Sequence, residues 1–199
     1  MQPFKVAIAG LGTVGAETAR IILTDGDMLS ARAGRPIELK AVSARDRSRD
    51  RGIDLAGVDW VDDAAALAGR DDIDCVLELI GGSEGVAYDL VLGAVKSGKS
   101  VVTANKALIA HHGSEIAKYC EEGDVGLGFE AAVAGGIPII KSLREGLAGN
   151  HIKRVYGILN GTCNYIMSVM RETGRSFEDV LADAQRLGYA EADPSFDVD

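Results

Sequence analysis

The sequence has no run of positive charge and no long apolar stretch. Its 21 Lys and Arg are outnumbered by 30 Asp and Glu, giving a formal net charge of −9. Such a chain repels polyphosphate backbones, so nucleic acid is not an expected partner, and it offers no basic patch to an anionic membrane. Its apolar runs fall well short of the ~20 residues that cross a bilayer. Cysteine is scarce: Cys75, Cys120 and Cys163 are odd in number, widely spaced and form no CxxC pair. That excludes a disulfide scaffold and fits free thiols in a reducing cytoplasm. His111 and His112 are adjacent, point to different sides of a helix and have no acidic or Cys partner at ligand spacing, so no metal site is expected there. There is no internal repeat or low-complexity segment. Met-Gln-Pro-Phe-Lys runs directly into the first expected strand, so no signal peptide is expected either.

What the chain does have is glycine at informative places. Residues 6–15 read Val-Ala-Ile-Ala-Gly-Leu-Gly-Thr-Val-Gly. An apolar strand pattern ends in Gly10, Gly12 and Gly15, and an apolar helical pattern follows at once. In a dinucleotide-binding fingerprint the first glycine permits the tight turn and the second admits a pyrophosphate to the backbone. The third lets helix and strand pack closely, and the helix N-terminus faces the anion. The rest of the chain to residue 129 supports this reading. Strands are expected at Phe4–Ala9, Ile37–Ser43, Val58–Val61, Cys75–Ile80, Ser100–Thr103 and Val125–Phe129. Helices are expected over Ala16–Leu23, near Asp63–Ala68, and over Val86–Lys96 and Ile109–Cys120. Nearly continuous apolar strands separated by helices predict a doubly wound parallel sheet of Rossmann type.

After Glu130 the pattern changes. A helix is expected from Ile139 towards Leu147, and a strand over Ile152–Leu159. A turn at Asn160-Gly161-Thr162 leads into a helix through Met170. A last helix starts at Ser176, where Ser176 and Asp179 can form a capping box, and ends at Gly188. These elements are too few to close a sheet. The expected organisation is a nucleotide-binding domain over residues 1–129, followed over 130–199 by an incomplete α+β domain.

Ligands of open parallel sheets bind beyond the C-terminal strand ends. After the second strand, Arg45 can accommodate a ribose 2′-phosphate and so favours NADP, while Asp46 keeps NAD open; the remainder of Arg45–Arg51 reads as a solvated loop. After the fourth strand, Gly81 and Gly82 form either a wall for a nicotinamide ring or a simple turn into a helix. After the fifth, Lys106 in Thr103-Ala-Asn-Lys is placed to meet a carboxylate, a phosphate or a reacting oxygen. The Glu130–Pro138 segment suits converging carbonyl oxygens around a hard cation, but on its residues alone a tight interdomain turn is the simpler reading. Four acids in Glu191–Asp199 either hold a substrate ammonium group or form a solvated tail.

The glycine loop, Thr103–Lys106, Glu130–Pro138, Gly157-Ile-Leu-Asn-Gly-Thr-Cys-Asn-Tyr165 and Gly188–Asp199 occur together and in the order found in the homoserine dehydrogenase family, which this sequence resembles over nearly its whole length. The resemblance implies NAD(P)-dependent interconversion of L-homoserine and L-aspartate 4-semialdehyde, on the route to threonine, methionine and isoleucine. It implies that Leu11, Gly12, Thr13, Val14 and Gly15 wrap the pyrophosphate beyond the Gly10 turn, with Lys106 and Gly188 along the cofactor; the strand-end reading adds Arg45, Gly81 and Thr103 to that site. Lys106 would also approach the reaction centre, and Glu191 would bind homoserine or the nicotinamide side. Glu130, Val133, Gly135 and Ile137 would hold a monovalent cation, typically sodium, and the protein would be a homodimer. The family's proton-donor lysine and a second substrate-binding aspartate would fall beyond Asp199, so the chain corresponds to an N-terminal portion expected to turn over poorly alone. Two alternatives remain at this stage: a non-catalytic dinucleotide-binding module, and a semialdehyde dehydrogenase using Cys163 as nucleophile.

Overall fold

The computed structural model describes residues 1–157 and 160–190. The chain divides into two compact units, Met1–Gly146 and Leu147–Asp199.

The first unit is built on six parallel strands: β1 (Phe4–Ala9), β2 (Ile37–Ser43), β3 (Asp59–Trp60), β4 (Cys75–Glu78), β5 (Ser100–Thr103) and β6 (Leu127–Gly128). Their spatial order is β3-β2-β1-β4-β5-β6. Helices α1 (Thr13–Thr24), α2 (Gly26–Ala33), α3 (Val86–Lys96) and α4 (Lys106–Gly123) connect them, with a 3₁₀ turn over Ala64–Gly69. This is the expected doubly wound α/β architecture.

The alternation of side chains along β1 explains why the sheet is covered on both faces. Val6 and Ile8 enter one core with Ala19 of α1, Leu39 and Val42. Ala7 and Ala9 enter the other, with Val91 and Val95 of α3 and Leu108 and Ile116 of α4. Successive residues of a strand face opposite sides, so both sets must be apolar. Fully burying each Val, Leu or Ile contributes about 1.5–3 kcal/mol. Helix α3 shows the complementary pattern: Ala87, Leu90, Val91, Ala94 and Val95 are buried, a single stripe at helical spacing.

Several boundaries differ from the sequence expectation. β4 stops at Glu78 because that carboxylate turns back to bind the backbone of the following loop. Helix α4 starts at Lys106, three residues before the expected Ile109, because the Asn105 side chain accepts a hydrogen bond from Leu108 N at 3.0 Å. Helix α2 was not expected; it buries none of its residues, so it carries little periodic signal. The helix from Ile139 is one short turn, α5 (Ile139–Lys141), widening into a π turn over Ser142–Gly146.

The second unit holds two helices, α6 (Gly161–Thr173) and α7 (Phe177–Leu187). Ile166, Val180, Ala184 and Ala190 form its small core. The Ser176 hydroxyl caps α7 by accepting from Asp179 N at 3.2 Å, as the capping pattern predicts. The strand expected over Ile152–Leu159 is not formed over residues 152–157, and residues 158 and 159 lie outside the described set. Val155 and Tyr156 are exposed there, and a strand without a neighbour gains no ladder bonds to offset its ordering.

Candidate functional site

The strand order reverses between β1 and β4, and at their C-terminal ends the chain opens a cleft of about 810 Å³. Gly10 and Gly12 line one side, Arg45 and Arg49 follow β2, and Ile80 and Val86 border the side nearest β4. A volume of this size holds a cofactor-sized ligand.

The glycine loop is sterically determined. Gly10 has φ +96°, and a Cβ there would lie 2.4 Å from the Leu79 carbonyl oxygen. A Cβ on Gly15 would lie 1.8 Å from the Gly10 carbonyl oxygen. A Cβ on Gly12 meets nothing within 4 Å, so the space in front of it is open to a ligand. Helix α1, with Gly12 at its N-cap, has no side-chain cap, as α2 and α3 have none, whereas Asn105, Asn160 and Ser176 cap α4, α6 and α7. The first-turn N–H groups of α1 and its positive dipole end therefore suit an anion, which is the fit a dinucleotide pyrophosphate requires. Leu11 is buried beneath the loop, and Thr13 and Val14 are exposed on the first turn.

The loops after β4 and β5 are tied together by a buried carboxylate. Glu78 is fully buried and accepts from Ile80 N at 2.8 Å, Gly81 N at 3.1 Å and the Thr103 hydroxyl at 2.6 Å. The Thr103 hydroxyl in turn accepts from Asn105 N at 2.9 Å, and the Asn105 amide donates to the Gly82 carbonyl at 2.6 Å. Gly81 and Gly82 have φ of +91° and +85°, so this loop takes a shape few other residues adopt. Thr103 thus spends its hydroxyl on the scaffold, while Lys106 stands exposed at the first turn of α4.

Glu78, Asn105 and Arg51 are the positions that sequence reasoning passed over. Glu78 was visible as the one charge in an apolar strand and Asn105 as a cap residue. Arg51 gave no signal: residues 45–50 are exposed and irregular, as a solvated loop should be, but Arg51 is half-buried. Its guanidinium donates to the carbonyls of Leu11, Asp46 and Arg49, joining that loop to the glycine loop.

The segment from Glu130 folds as successive tight turns. The Glu130 carboxylate accepts from Ile140 N at 3.0 Å and Lys141 N at 2.8 Å, and the Ile137 carbonyl accepts from Ile139 N. Val133 is half-buried, and Gly135 and Ile137 are exposed. Among the described residues no cluster of three His, Cys, Asp or Glu could hold a metal ion, and His112 pairs with Glu84 at 2.8 Å. In the second unit, Gly188 ends α7 in the left-handed region, and the Thr162 hydroxyl donates to the Tyr189 carbonyl at 2.7 Å. The Tyr165 and Tyr189 rings lie 4.8 Å apart. Thr162 and Tyr165 of the Gly157–Tyr165 segment therefore meet Tyr189, just after α7. Glu191 lies outside the described residues.

All three cysteines are free. Burial pushes the Cys75 thiol up to about 12 and raises that of Cys120, the opposite of what a nucleophilic thiolate needs. No helix among the described residues is long and apolar enough to cross a membrane.

The switch-point cleft and the glycine loop leading into α1 define a dinucleotide-binding α/β protein. A family model described as homoserine dehydrogenase, NAD binding domain matches residues 10–130, and one described as homoserine dehydrogenase matches residues 138–199. The homoserine dehydrogenase of Pseudomonas aeruginosa is 52% identical over 199 residues, and that of Corynebacterium glutamicum 49% over 194. Those matches cover 100% and 98% of this chain, and 45% and 43% of the two relatives. The crystal structure of a homoserine dehydrogenase from Thiobacillus denitrificans superimposes with a TM-score of 0.88 at 46% identity, covering 99% of this chain and 45% of that one. A hyperthermophilic archaeal homoserine dehydrogenase in complex with NADPH gives 0.81 at 27% identity, covering 100% of this chain and 65% of that one. The chain belongs to the homoserine dehydrogenase family. It spans a little under half the length of the curated relatives it matches.

Proposed function

We propose that this chain forms the cofactor-binding part, and the start of the substrate-binding part, of an enzyme that interconverts L-homoserine and L-aspartate 4-semialdehyde. The observation that carries this reading is the open cradle at Gly12, set between the uncapped start of α1 and the arginines after β2. A nicotinamide held by these residues would supply the hydride acceptor, or in the reverse direction the donor, for the substrate's reacting carbon. Residues 10–15 hold the pyrophosphate through backbone N–H groups and the helix dipole. Arg45 meets a 2′-phosphate, and the Gly81 loop walls the ring. Lys106 stabilises negative charge on the reacting oxygen, and Glu191 holds the amino acid. Residues 1–129 serve the cofactor and residues 130–199 begin the substrate region. Glu130 and the carbonyls of Val133, Gly135 and Ile137 would offer a monovalent cation, such as sodium, hard oxygen donors. Gly188 borders the cofactor. A homodimeric, cytoplasmic enzyme of threonine, methionine and isoleucine synthesis completes the proposal.

Calorimetric titration with NADPH and NADH tests the cofactor reading. The unsubstituted chain is expected to prefer NADPH, and Arg45→Asp to shift preference towards NADH by about tenfold, the scale of one lost charge-assisted contact. Preference for NADH before substitution would remove Arg45 from the argument. Homoserine oxidation tests the rest. Because proton transfer needs a group within hydrogen-bond reach, and the implied lysine lies beyond residue 199, the 199-residue chain is expected to turn over at least about a hundredfold more slowly than a full-length relative. Equal rates would show that residues 1–199 supply every group the reaction needs.

A further inference from the structure

The loop after β2 has no regular secondary structure between residues 44 and 58, yet it carries the arginines that face the cleft. Among its side chains, Arg51 ties it to the glycine loop. Arg51 Nε donates to the Leu11 carbonyl at 3.0 Å, Nη1 to the Arg49 carbonyl at 2.8 Å and Nη2 to the Asp46 carbonyl at 2.6 Å. Its three nitrogens thus bridge the glycine loop to a loop 35 to 38 residues later in sequence. The guanidinium carbon lies 5.6 Å from the centre of the Trp60 ring, and the Trp60 indole N–H is itself fixed by Asp62 at 3.1 Å. All three acceptors are neutral carbonyls, so these bonds leave the positive charge of Arg51 at the edge of the cleft.

We propose that Arg51 is a positioning residue: it locks the arginine-bearing loop onto the glycine loop and so sets the discrimination between a dinucleotide with a ribose phosphate and one without. The inference rests on the cofactor reading given above. The glycine loop is held independently by the sheet, through Gly10 N to the Ser43 carbonyl and Leu79 N to the Ala9 carbonyl, both at 2.8 Å. The pyrophosphate contacts therefore survive loss of the clamp. The loop from 45 to 49 has no such ladder, and contacts to a ribose phosphate depend on it. Loosening Arg51 therefore weakens the phosphorylated cofactor selectively. A planar guanidinium can reach three carbonyls in fixed directions; an ammonium carries the same charge but not that fork.

The test uses calorimetric titration of the 199-residue chain and its Arg51→Gln and Arg51→Lys variants with NADPH and with NADH, alongside their melting temperatures. Both variants are expected to weaken NADPH binding about tenfold and NADH binding less than about threefold, lowering the ratio of the two affinities. A role confined to stability would shift melting and leave the ratio where it was; that result overturns the proposal. Full recovery of the ratio by Arg51→Lys also overturns it, since charge alone would then suffice. If Arg51→Gln fails to fold, the lysine variant decides by the same criteria. Failure of the unsubstituted chain to bind either dinucleotide would instead refute the cofactor reading, and this inference with it.

Discussion

Gly15→Ala is expected to destabilise the first unit by about 2–3 kcal/mol and to abolish measurable dinucleotide binding. The added methyl would sit 1.8 Å from the Gly10 carbonyl oxygen and 2.8 Å from its carbon, both backbone atoms. Neither can rotate away, so α1 must separate from β1, opening the packing of Ala19 against Val6 and Ile8. Overpacking of this kind costs about 1–3 kcal/mol where side chains can adjust, and here the obstacle is main chain. Gly12→Ala is the control that separates the two effects. Its methyl meets no protein atom within 4 Å, so stability should hold within about 0.5 kcal/mol while NADPH affinity falls at least tenfold. Urea titration followed by Trp60 fluorescence, with calorimetry for binding, reads both outcomes. Equal stability of Gly15→Ala and the unsubstituted chain would mean that helix and loop do not meet as described.

Glu78→Leu is expected to cost about 3–5 kcal/mol. The substitution keeps the volume of the fully buried side chain but removes the acceptor for Ile80 N, Gly81 N and the Thr103 hydroxyl at once. Each stranded donor costs roughly 1–3 kcal/mol, only partly offset by added apolar burial. Glu78→Gln retains one carbonyl oxygen and should lose about half as much. The midpoint in urea should fall with little change in slope, because the surface exposed on unfolding is nearly the same. Amide exchange at Ile80 and Gly81 should quicken in both variants. A leucine variant as stable as the original would show that the loop finds other partners.

The contrast between Glu78 and the glycines shows what the sequence could reveal. β1, β2, β5 and α3 end where their apolar patterns end, because burial alone sets those limits. The glycine loop was legible because steric exclusion leaves a spaced signature. β4 and α4 were misjudged by two or three residues because side chains of Glu78 and Asn105 fix their ends, and such bonds leave no period. Arg51 was illegible for a stronger reason: its partner Leu11 is 40 positions away and contributes only a carbonyl, which every residue has. The short apolar run at 152–157 misled in the opposite direction, since a strand pattern is a request for neighbours rather than a guarantee of them.

The central place of β1 has a consequence for how the molecule is made. Val6 lies opposite Leu39 on one side and Cys75 on the other, so β1 has both flanks filled only once β4 has been synthesised. For most of the time needed to synthesise the sheet, Val-Ala-Ile-Ala waits with at least one bare edge. A nascent chain in that condition is a substrate for holding factors, and slow elongation between residues 43 and 75 prolongs its exposure.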